Sequence, residues 1–342
     1  MTFLALLFFA PDFNAQALEY VKQARDTANP VYHAKAEEAL KKSFEESPDN
    51  FEGLKAKTWL LLGQHRFAEA LEVAKQLNKK APDDLQVYGF LVDANVELGN
   101  YADAENAAQW MLDLRPGNAP GLTRAAYLRE LYSDYDGALD LMQQALNRTR
   151  PEEKGDRAWV LTHIGRLLGK KRDFLNAERA LKAALDAYPN YHYALGNLAE
   201  IFKEQKKYAE AAELYRKRWE VAPHPENLYD FADALARAGK TSEAKTEFAS
   251  FEKLALAESE KMDNSNRELA LYYLDHAKKP AEALRIAEME AGRRRDVHTL
   301  EIYAKALKLN GKSSAAAKIL TEREDRLNAS LKKKPVTAAQ VH

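Results

Sequence analysis

Small and aromatic apolar residues recur along the chain at a nearly fixed interval, separated by charged and polar positions. Alanine occupies nine corresponding positions: Ala36, Ala70, Ala104, Ala138, Ala177, Ala211, Ala244, Ala283 and Ala316. Five of these alanines follow an aromatic residue by three positions: Phe67, Tyr101, Tyr135, Phe174 and Tyr208. Such a period is typical of a repeat protein, in which each unit buries its apolar face only against its neighbours.

Prolines follow the same interval and mark the links between units. Pro48, Pro82 and Pro116 are 34 residues apart, and Pro189 and Pro223 repeat that spacing. Between two prolines lie two helix-length segments joined by a short turn, as at residues 97–101. Alanine is expected where the two helices approach most closely, because a larger side chain would force them apart. The pattern predicts an all-α fold of stacked helix pairs.

These residues resemble the tetratricopeptide repeat (TPR). The most complete copy spans residues 85–118 and carries the family's signature residues Tyr88, Leu91, Gly99, Tyr101, Ala104, Met111 and Pro116. In this register, repeats start near residues 17, 51, 85, 119, 158, 192, 225, 264 and 297. The resemblance implies a right-handed superhelical solenoid of about nine helix-turn-helix units over residues 18–330.

The two ends depart from the repeat pattern. Pro30 lies near the end of the first helix of the first copy, and the last three copies carry Thr241, Pro280 and Ser313 at the aromatic position. Extra residues lengthen the links at 151–157 and 259–263. We expect an open superhelix, with the first copy and the charged stretch 321–334 acting as caps. Capped ends favour a monomer, with a homo-oligomer as the alternative.

The resemblance also places a partner-binding groove on the concave side, lined by positions two, five, nine and twelve of each repeat. Carried over to this sequence, the groove contains Trp59, Asp93, Tyr127, Trp159, Thr162, Arg166, Tyr193, Glu200, Lys203, Tyr229, Asp233, Glu268 and Tyr272. Tyrosine, tryptophan and arginine carry much of the binding energy at protein interfaces. We therefore predict a protein or peptide partner. The alternative is that the aromatic residues pack along the solenoid and the charged residues are solvated.

One specialised form of this groove is not expected. In some family members, lysine, asparagine and arginine residues of three repeats clamp a partner's C-terminal carboxylate. Lys55 could begin such a clamp, but Trp59 occupies the place of the asparagine. Recognition of a Glu-Glu-Val-Asp-type tail is therefore not predicted.

Charge and composition narrow the function classes. The 51 lysines and arginines nearly balance 52 aspartates and glutamates, so the chain lacks the basic excess of a nucleic-acid binder. We expect a non-catalytic interaction scaffold. Alternatives are a helical repeat that binds single-stranded RNA, a cytoplasmic adaptor resembling a co-chaperone, and an enzyme with its site in the groove.

The two termini bear on localisation. Residues 1–10 are almost entirely apolar, and Ala15-Gln16-Ala17 matches a signal-peptidase pattern, although no basic residue precedes the apolar run. Residues 1–17 are therefore predicted to be a signal peptide, which gives a periplasmic or secreted protein. A hydrophobic first helix and a cytoplasmic location are the alternative. Residues 331–342 are expected to form a flexible basic tail, and no transmembrane segment is predicted.

Motifs suggestive of chemistry have structural explanations. Gly239-Lys240-Thr241 and Gly311-Lys312-Ser313 resemble the end of a phosphate loop, but the glycine required five residues earlier is replaced by Ala234 and Ala306. The register places both tripeptides in turns within repeats. The eight histidines show no metal-ligand spacing, and the chain has no cysteine. We therefore predict no catalytic, cofactor or metal site, and a structural role for Arg293-Arg294-Arg295 at a helix end.

Overall fold

The protein is described here by a computed structural model that covers residues 12–331, and these residues form helix pairs. The first helices of the pairs are α1 (Phe13–Thr27), α3 (Phe51–Gly63), α5 (Leu85–Glu97), α7 (Ala119–Leu131), α9 (Lys154–Lys170), α11 (His192–Glu204), α13 (Pro225–Arg237), α15 (Asn266–Asp275) and α17 (Val297–Leu309). The second helices are α2 (Val31–Glu46), α4 (Phe67–Lys80), α6 (Tyr101–Leu114), α8 (Tyr135–Arg148), α10 (Phe174–Ala187), α12 (Tyr208–Val221), α14 (Thr241–Glu258), α16 (Pro280–Arg293) and α18 (Ser313–Leu331). Each pair is called a unit and numbered from one to nine.

All nine recurrent alanines lie at buried helix crossings. Their exposed fraction is between 0% and 5%, and seven of the nine are completely buried. The preceding aromatic residue is the first residue of its helix, as Phe67 is in α4 and Tyr101 in α6. The structure thus confirms the all-α solenoid and the position of alanine where helices approach most closely.

Each unit reverses direction through a turn with one left-handed residue. The seven residues at this place in units two to seven and nine have φ between 57° and 77°: His65, Gly99, Ser133, Arg172, Lys206, Gly239 and Gly311. In the third unit, the N–H of Asn100 donates to the carbonyl of Asn95 at 2.8 Å, which closes the end of α5. Gly239 and Gly311 therefore belong to turns between helices, as predicted, and not to phosphate loops.

Some element boundaries differ from the sequence prediction. α9 begins at Lys154, four residues before the predicted repeat start, because the longer link after α8 continues directly into the helix. α1 begins at Phe13, where Asp12 caps it by accepting from the N–H groups of Asn14 and Ala15. Ala17, the last residue of the predicted cleavage motif, is completely buried in this helix.

The superhelix is not open, contrary to the prediction. The first unit reaches the sixth, where the His192 ring lies 3.1 Å from the carbonyl oxygen of Arg25. The third unit reaches the ninth, where the N–H of Arg295 donates to the carbonyl of Glu97 at 3.2 Å. Units five or six positions apart are therefore in contact, so the second turn of the superhelix rests on the first. We call this line of contact the seam.

The charged stretch of α18 belongs to the seam and is not simply a solvated cap. Arg326 donates to the carbonyl of Gly99 at 3.2 Å, and its Nε pairs with Glu322 at 2.9 Å. Leu327 packs against the apolar cluster that contains Tyr101. The remaining predicted tail, residues 332–342, lies outside the described residues, as do residues 1–11 of the predicted signal peptide.

No helix within residues 12–331 is long and apolar enough to span a membrane.

The alanine crossings give a direct test of the packing. Replacing Ala70 of α4 by leucine should lower the free energy of unfolding by about 1–3 kcal/mol, because the added methyl groups have no space between the helices. Ala68 of the same helix is exposed, so Ala68→Leu is the matched control and should change stability by less than about 0.5 kcal/mol. Urea unfolding followed by circular dichroism measures both; equal losses for the two variants would contradict the packing.

Candidate partner-binding face

The first helices carry charged residues that pair from one unit to the next. Arg124 of α7 binds Asp93 of α5 through two hydrogen bonds of 2.6 and 2.8 Å. Arg166 of α9 binds Glu130 of α7 through two hydrogen bonds of 2.6 Å. Bidentate contacts of this kind are stronger and more directional than single ion pairs. They fix the spacing of successive first helices.

We call the surface carried by these first helices the inner face; its main residues are Tyr127, Arg166, Tyr193, Lys203, Glu226 and Asp230. Aromatic rings on it remain partly accessible. The Tyr127 ring centre lies 5.9 Å from the Arg166 guanidinium, and the Trp159 ring centre lies 3.9 Å from that of His163. The Tyr193 ring centre lies 3.9 Å from that of the neighbouring His192, with the two rings tilted. Rings held in this way offer a partner rigid contact area.

Lys203 of α11 continues the row of charges. Its Nζ lies 2.6 Å from Glu200 and 3.9 Å from Asp233 of α13. Asp233 is only 6% exposed and also pairs with Arg237 at 2.8 Å. Burial raises the pKa of Asp233, but His276, Arg237 and Lys203 outweigh this effect, so the pKa is lowered. The structure therefore places Asp233 beneath the surface, where it joins units.

Thr162 requires a correction. The sequence places it in the groove, but it is 3% exposed and its hydroxyl donates to the carbonyl of Ala158 at 2.7 Å. A threonine hydroxyl inside a helix is readily satisfied by the carbonyl four residues earlier. Thr162 is therefore enclosed within the stack and offers a partner no accessible group.

Three other predicted groove aromatics pack mainly against rings of the chain. Their ring centres are 5.2 Å apart for Trp59 and Phe90, 5.4 Å for Tyr229 and Phe251, and 5.1 Å for Tyr272 and Phe248. Their geometry fits the alternative interpretation, in which aromatic residues pack along the solenoid. All six aromatic rings of the predicted set are half-buried, so burial alone does not separate the rings of units four to six from the others.

A group of charged residues that sequence reasoning missed lies around Arg218. Its guanidinium pairs with Asp230 at 2.7 Å and with Glu226 at 3.2 Å. Burial raises the pKa of Asp230 to about 7, although Arg218 and Lys203 oppose the shift. Burial also raises the pKa of Glu268, which lies on the next first helix, despite the charge of Arg267. Burial therefore causes both shifts, and the Arg218 guanidinium in this part of the inner face is already engaged by two carboxylates.

Three histidines converge on Asp263, in the link between units seven and eight. The distances to its carboxylate are 3.6 Å from His33 Nδ1, 3.8 Å from His65 Nδ1 and 3.8 Å from His224 Nε2. These are ion-pair distances rather than hydrogen bonds. The four residues are far apart in sequence, so no local spacing could have indicated the cluster; only the lengthened link at 259–263 was noticed. Within residues 12–331, no group of histidines and carboxylates is arranged to hold a metal ion.

The three histidines differ in charge. Burial alone would lower the pKa of His224, but Asp263, Glu226 and Glu258 raise it to about 9. Burial lowers the pKa of His65 to about 4 despite the Asp263 carboxylate, with Arg294 and Arg267 adding to the effect. Burial also lowers the pKa of His33, which Asp263 and Glu37 oppose and His224 reinforces. At neutral pH the cluster therefore contains one imidazolium, His224, paired with Asp263.

Arginines at the end of α16 form the other half of the seam. Arg294 is 4% exposed and its Nη1 lies 3.3 Å from Glu97 of the third unit. Arg293 donates to the carbonyls of Ser259 and Lys261 at 3.1 and 2.7 Å. The predicted structural role of this run is confirmed. Its contact with the third unit was missed, because the two positions are separated by almost 200 residues.

Comparison with known proteins agrees with the repeat. Family models described as Tetratricopeptide repeat match residues 61–125 and 163–218. The fold resembles the crystal structure of the APC/C hetero-tetramer Cut9-Hcn1 at TM-score 0.55 and 12% identity, covering 83% of this chain and 54% of that chain. The present chain therefore spans about half the length of that chain. No curated protein sequence matches the chain.

Two further solved structures share the fold. The human IFIT1 dimer with m7Gppp-AAAA matches at TM-score 0.55 and 15% identity, covering 92% of this chain and 87% of that chain. PilW, described as a type IV pilus biogenesis factor, matches at TM-score 0.50 and 16% identity, covering 59% of this chain and 92% of that chain. At these identities, the likenesses show the fold alone.

The His224–Asp263 pair gives a pH-dependent prediction. The folded pKa of His224 lies above its unfolded value near 6.5, so the pair stabilises the fold fully below about pH 6.5 and ceases to do so as pH rises through about 9. In an NMR titration, the pKa of His224 should lie near 9, and Asp263→Asn should move this pKa by at least about one unit toward 6.5. The control Asp275→Asn removes a carboxylate that pairs with Lys305 outside the cluster, and it should leave the His224 pKa unchanged. A His224 pKa near 6.5 in the unmodified protein would contradict the arrangement.

Proposed function

The chain is a tetratricopeptide-repeat protein, and we propose that it is a non-catalytic scaffold whose inner face holds an extended segment of a partner protein. The observation that carries the proposal is the partly accessible row of Tyr127, Trp159 and Tyr193, set beside Arg166 and Lys203. Aromatic rings with arginine nearby are the residue types that dominate protein interfaces. Fixed guanidinium and ammonium groups add hydrogen-bond donors for a partner's carbonyls and carboxylates.

The contact between superhelical turns favours an extended segment over a folded domain. Units one and six, and three and nine, touch at the seam, so a bulky partner cannot approach the inner face from that side. A peptide in extended or helical form occupies far less width and can follow the row of first helices. The proposed partner is therefore a segment that is unfolded or locally helical before binding.

Charge on the inner face favours a protein over RNA. Asp230 and Glu226 already engage the Arg218 guanidinium at 2.7 and 3.2 Å, and Glu268 adds a third carboxylate on the next first helix. A phosphate backbone would add further negative charge beside them, whereas RNA binding requires cations along its path. The m7Gppp-AAAA of the human IFIT1 structure belongs to that protein, and single-stranded RNA is an outcome for the test below.

The location of the scaffold is also proposed. We infer export to the periplasm or cell exterior, in an envelope complex, from the apolar residues 1–10 and the Ala15-Gln16-Ala17 pattern. Cleavage after Ala17 would remove the first five residues of α1, which begins at Phe13. The intact mass of the protein purified from its native source decides the point. A chain beginning at Leu18 supports export by this route, and one beginning at Met1 contradicts cleavage.

A matched pair of double variants tests the inner face. Arg166→Gln with Lys203→Gln should reduce capture of the partner from native extract about tenfold or more, because two charged contacts are lost. Arg216→Gln with Lys182→Gln removes the same residue types from ion pairs on second helices and should leave capture unchanged. Quantitative mass spectrometry of the bound proteins is the measurement, with circular dichroism to check folding.

Equal capture by both double variants would place the interface elsewhere. A filter-binding assay with single-stranded RNA at low salt should show no specific retention by the unmodified chain. Retention that is lost only in the inner-face variant would replace the protein-segment proposal by an RNA-binding one.

A further inference from the structure

The seam differs in chemistry from the contacts between successive units. Successive units join mainly through buried alanine and leucine clusters, whereas the seam consists mostly of imidazole, carboxylate, guanidinium and backbone groups, with Val297 and Leu327 as half-buried apolar contacts. Polar contacts of this kind contribute little net free energy, because water can replace each partner when the contact opens. Opening an apolar contact, by contrast, loses the whole free energy gained by burying its surface. The seam is therefore the weakest plane in the stack.

Hydrogen bonding at the seam is incomplete. Among the described residues, Nδ1 of His65, His192 and His224 is buried without a hydrogen-bond partner. The nearest carboxylate oxygen to the first of these lies at 3.8 Å. A buried nitrogen that gains water on opening recovers the free energy of that missing hydrogen bond. Each such atom lowers the cost of separating the two turns.

Gly99 shows that the two turns approach to backbone contact. At the equivalent position, other units carry His65, Ser133 or Arg172 with nearly the same left-handed φ, so the turn itself tolerates a side chain. A Cβ added to Gly99 would lie 2.4 Å from the carbonyl oxygen of Arg295, and at Gly239 it would meet nothing within 4 Å. Glycine is needed at residue 99 because the ninth unit lies against this turn.

Two backbone amides depend entirely on the seam. The N–H of Arg295 donates to the carbonyl of Glu97, and the N–H of Val297 donates to the Tyr101 hydroxyl at 2.9 Å. Val297 is the first residue of α17, where an N–H has no partner inside the helix. These two groups therefore exchange hydrogen with water only as fast as the seam opens.

We propose that the seam is the joint at which the superhelix opens, and that a partner segment reaches the inner face through the opened seam. Opening separates units one to three from units six to nine while every unit keeps its apolar neighbours, as expected for a stack stabilised by nearest-neighbour interfaces. The part of this inference that concerns the partner rests on the proposed function. The opening itself does not.

Amide-resolved hydrogen exchange tests the joint. Neighbouring amides supply internal references, since the N–H of Arg294 donates to Glu290 and that of Leu300 donates to Asp296, both without crossing the seam. In the unmodified protein, Arg295 and Val297 should exchange at least about tenfold faster than Leu300. Exchange of all four amides at one common rate would overturn the proposal, because the seam would then open only when the unit unfolds.

Gly99→Ala should accelerate exchange at Arg295 and Val297 about tenfold further, because its Cβ displaces the ninth unit. Gly239→Ala is the matched control, since it has a similar φ of +77° but open space, and it should leave both rates unchanged. Tyr101→Phe removes one seam hydrogen bond without backbone strain and should accelerate Val297 about fivefold. The proposal fails if Gly99→Ala and Gly239→Ala give the same rates at Arg295 and Val297.

A bulky reagent tests access to the inner face. The chain has no cysteine, so Lys203→Cys introduces a single reporter. The rate ratio of polyethylene-glycol maleimide to N-ethylmaleimide should rise about fivefold in Gly99→Ala and stay unchanged in Gly239→Ala. An equal ratio in both backgrounds would show that the seam does not control entry. Neither measurement uses a partner, so their failure would leave the scaffold function standing, and loss of that function would leave the joint standing.

Discussion

The close approach of two helices at a small side chain is the constraint on which this structure depends. Alanine at each crossing, as at Ala104 and Ala177, lets the helices of a unit pack at short distance and stack on the next unit with a similar offset. Because the offset accumulates in one direction, the chain curves until units six and nine meet units one and three. The seam is thus a consequence of many equivalent crossings, and its position depends on their number and angle.

The local parts of this architecture could be predicted from the sequence, because each depends on residues close in the chain. The alanine at each crossing, the glycine turns at Gly239 and Gly311 and the aromatic start of α6 all follow from spacings within a unit. The closed superhelix was not predicted, since Glu97 and Arg294 are brought together only by the summed rotation of six units. The same reason explains why the histidines around Asp263 and the glycine requirement at residue 99 were missed.

The candidate face shows a similar division. Tyr127 and Arg166 lie partly accessible on the first helices, where partner binding stays a prediction of the resemblance. The resemblance could not distinguish a residue that faces a partner from one that joins units, because both occupy the same register position. Asp233 and Thr162 are enclosed for this reason: Asp233 contacts Lys203 and His276 of neighbouring units, and the Thr162 hydroxyl bonds to its own helix. A groove assigned from repeat positions alone therefore includes residues that a partner cannot touch.

Contact between the second superhelical turn and the first can be tested by crosslinking, because the chain contains no cysteine. His33→Cys with Asp263→Cys places one thiol on each side of the seam, where the original side chains are 3.6 Å apart. Asp275→Cys with Lys305→Cys joins adjacent units and serves as the control. If the two turns are in contact, a short bis-maleimide links both pairs within single molecules at low protein concentration. Efficient linkage of the control pair with none between residues 33 and 263 would contradict this contact.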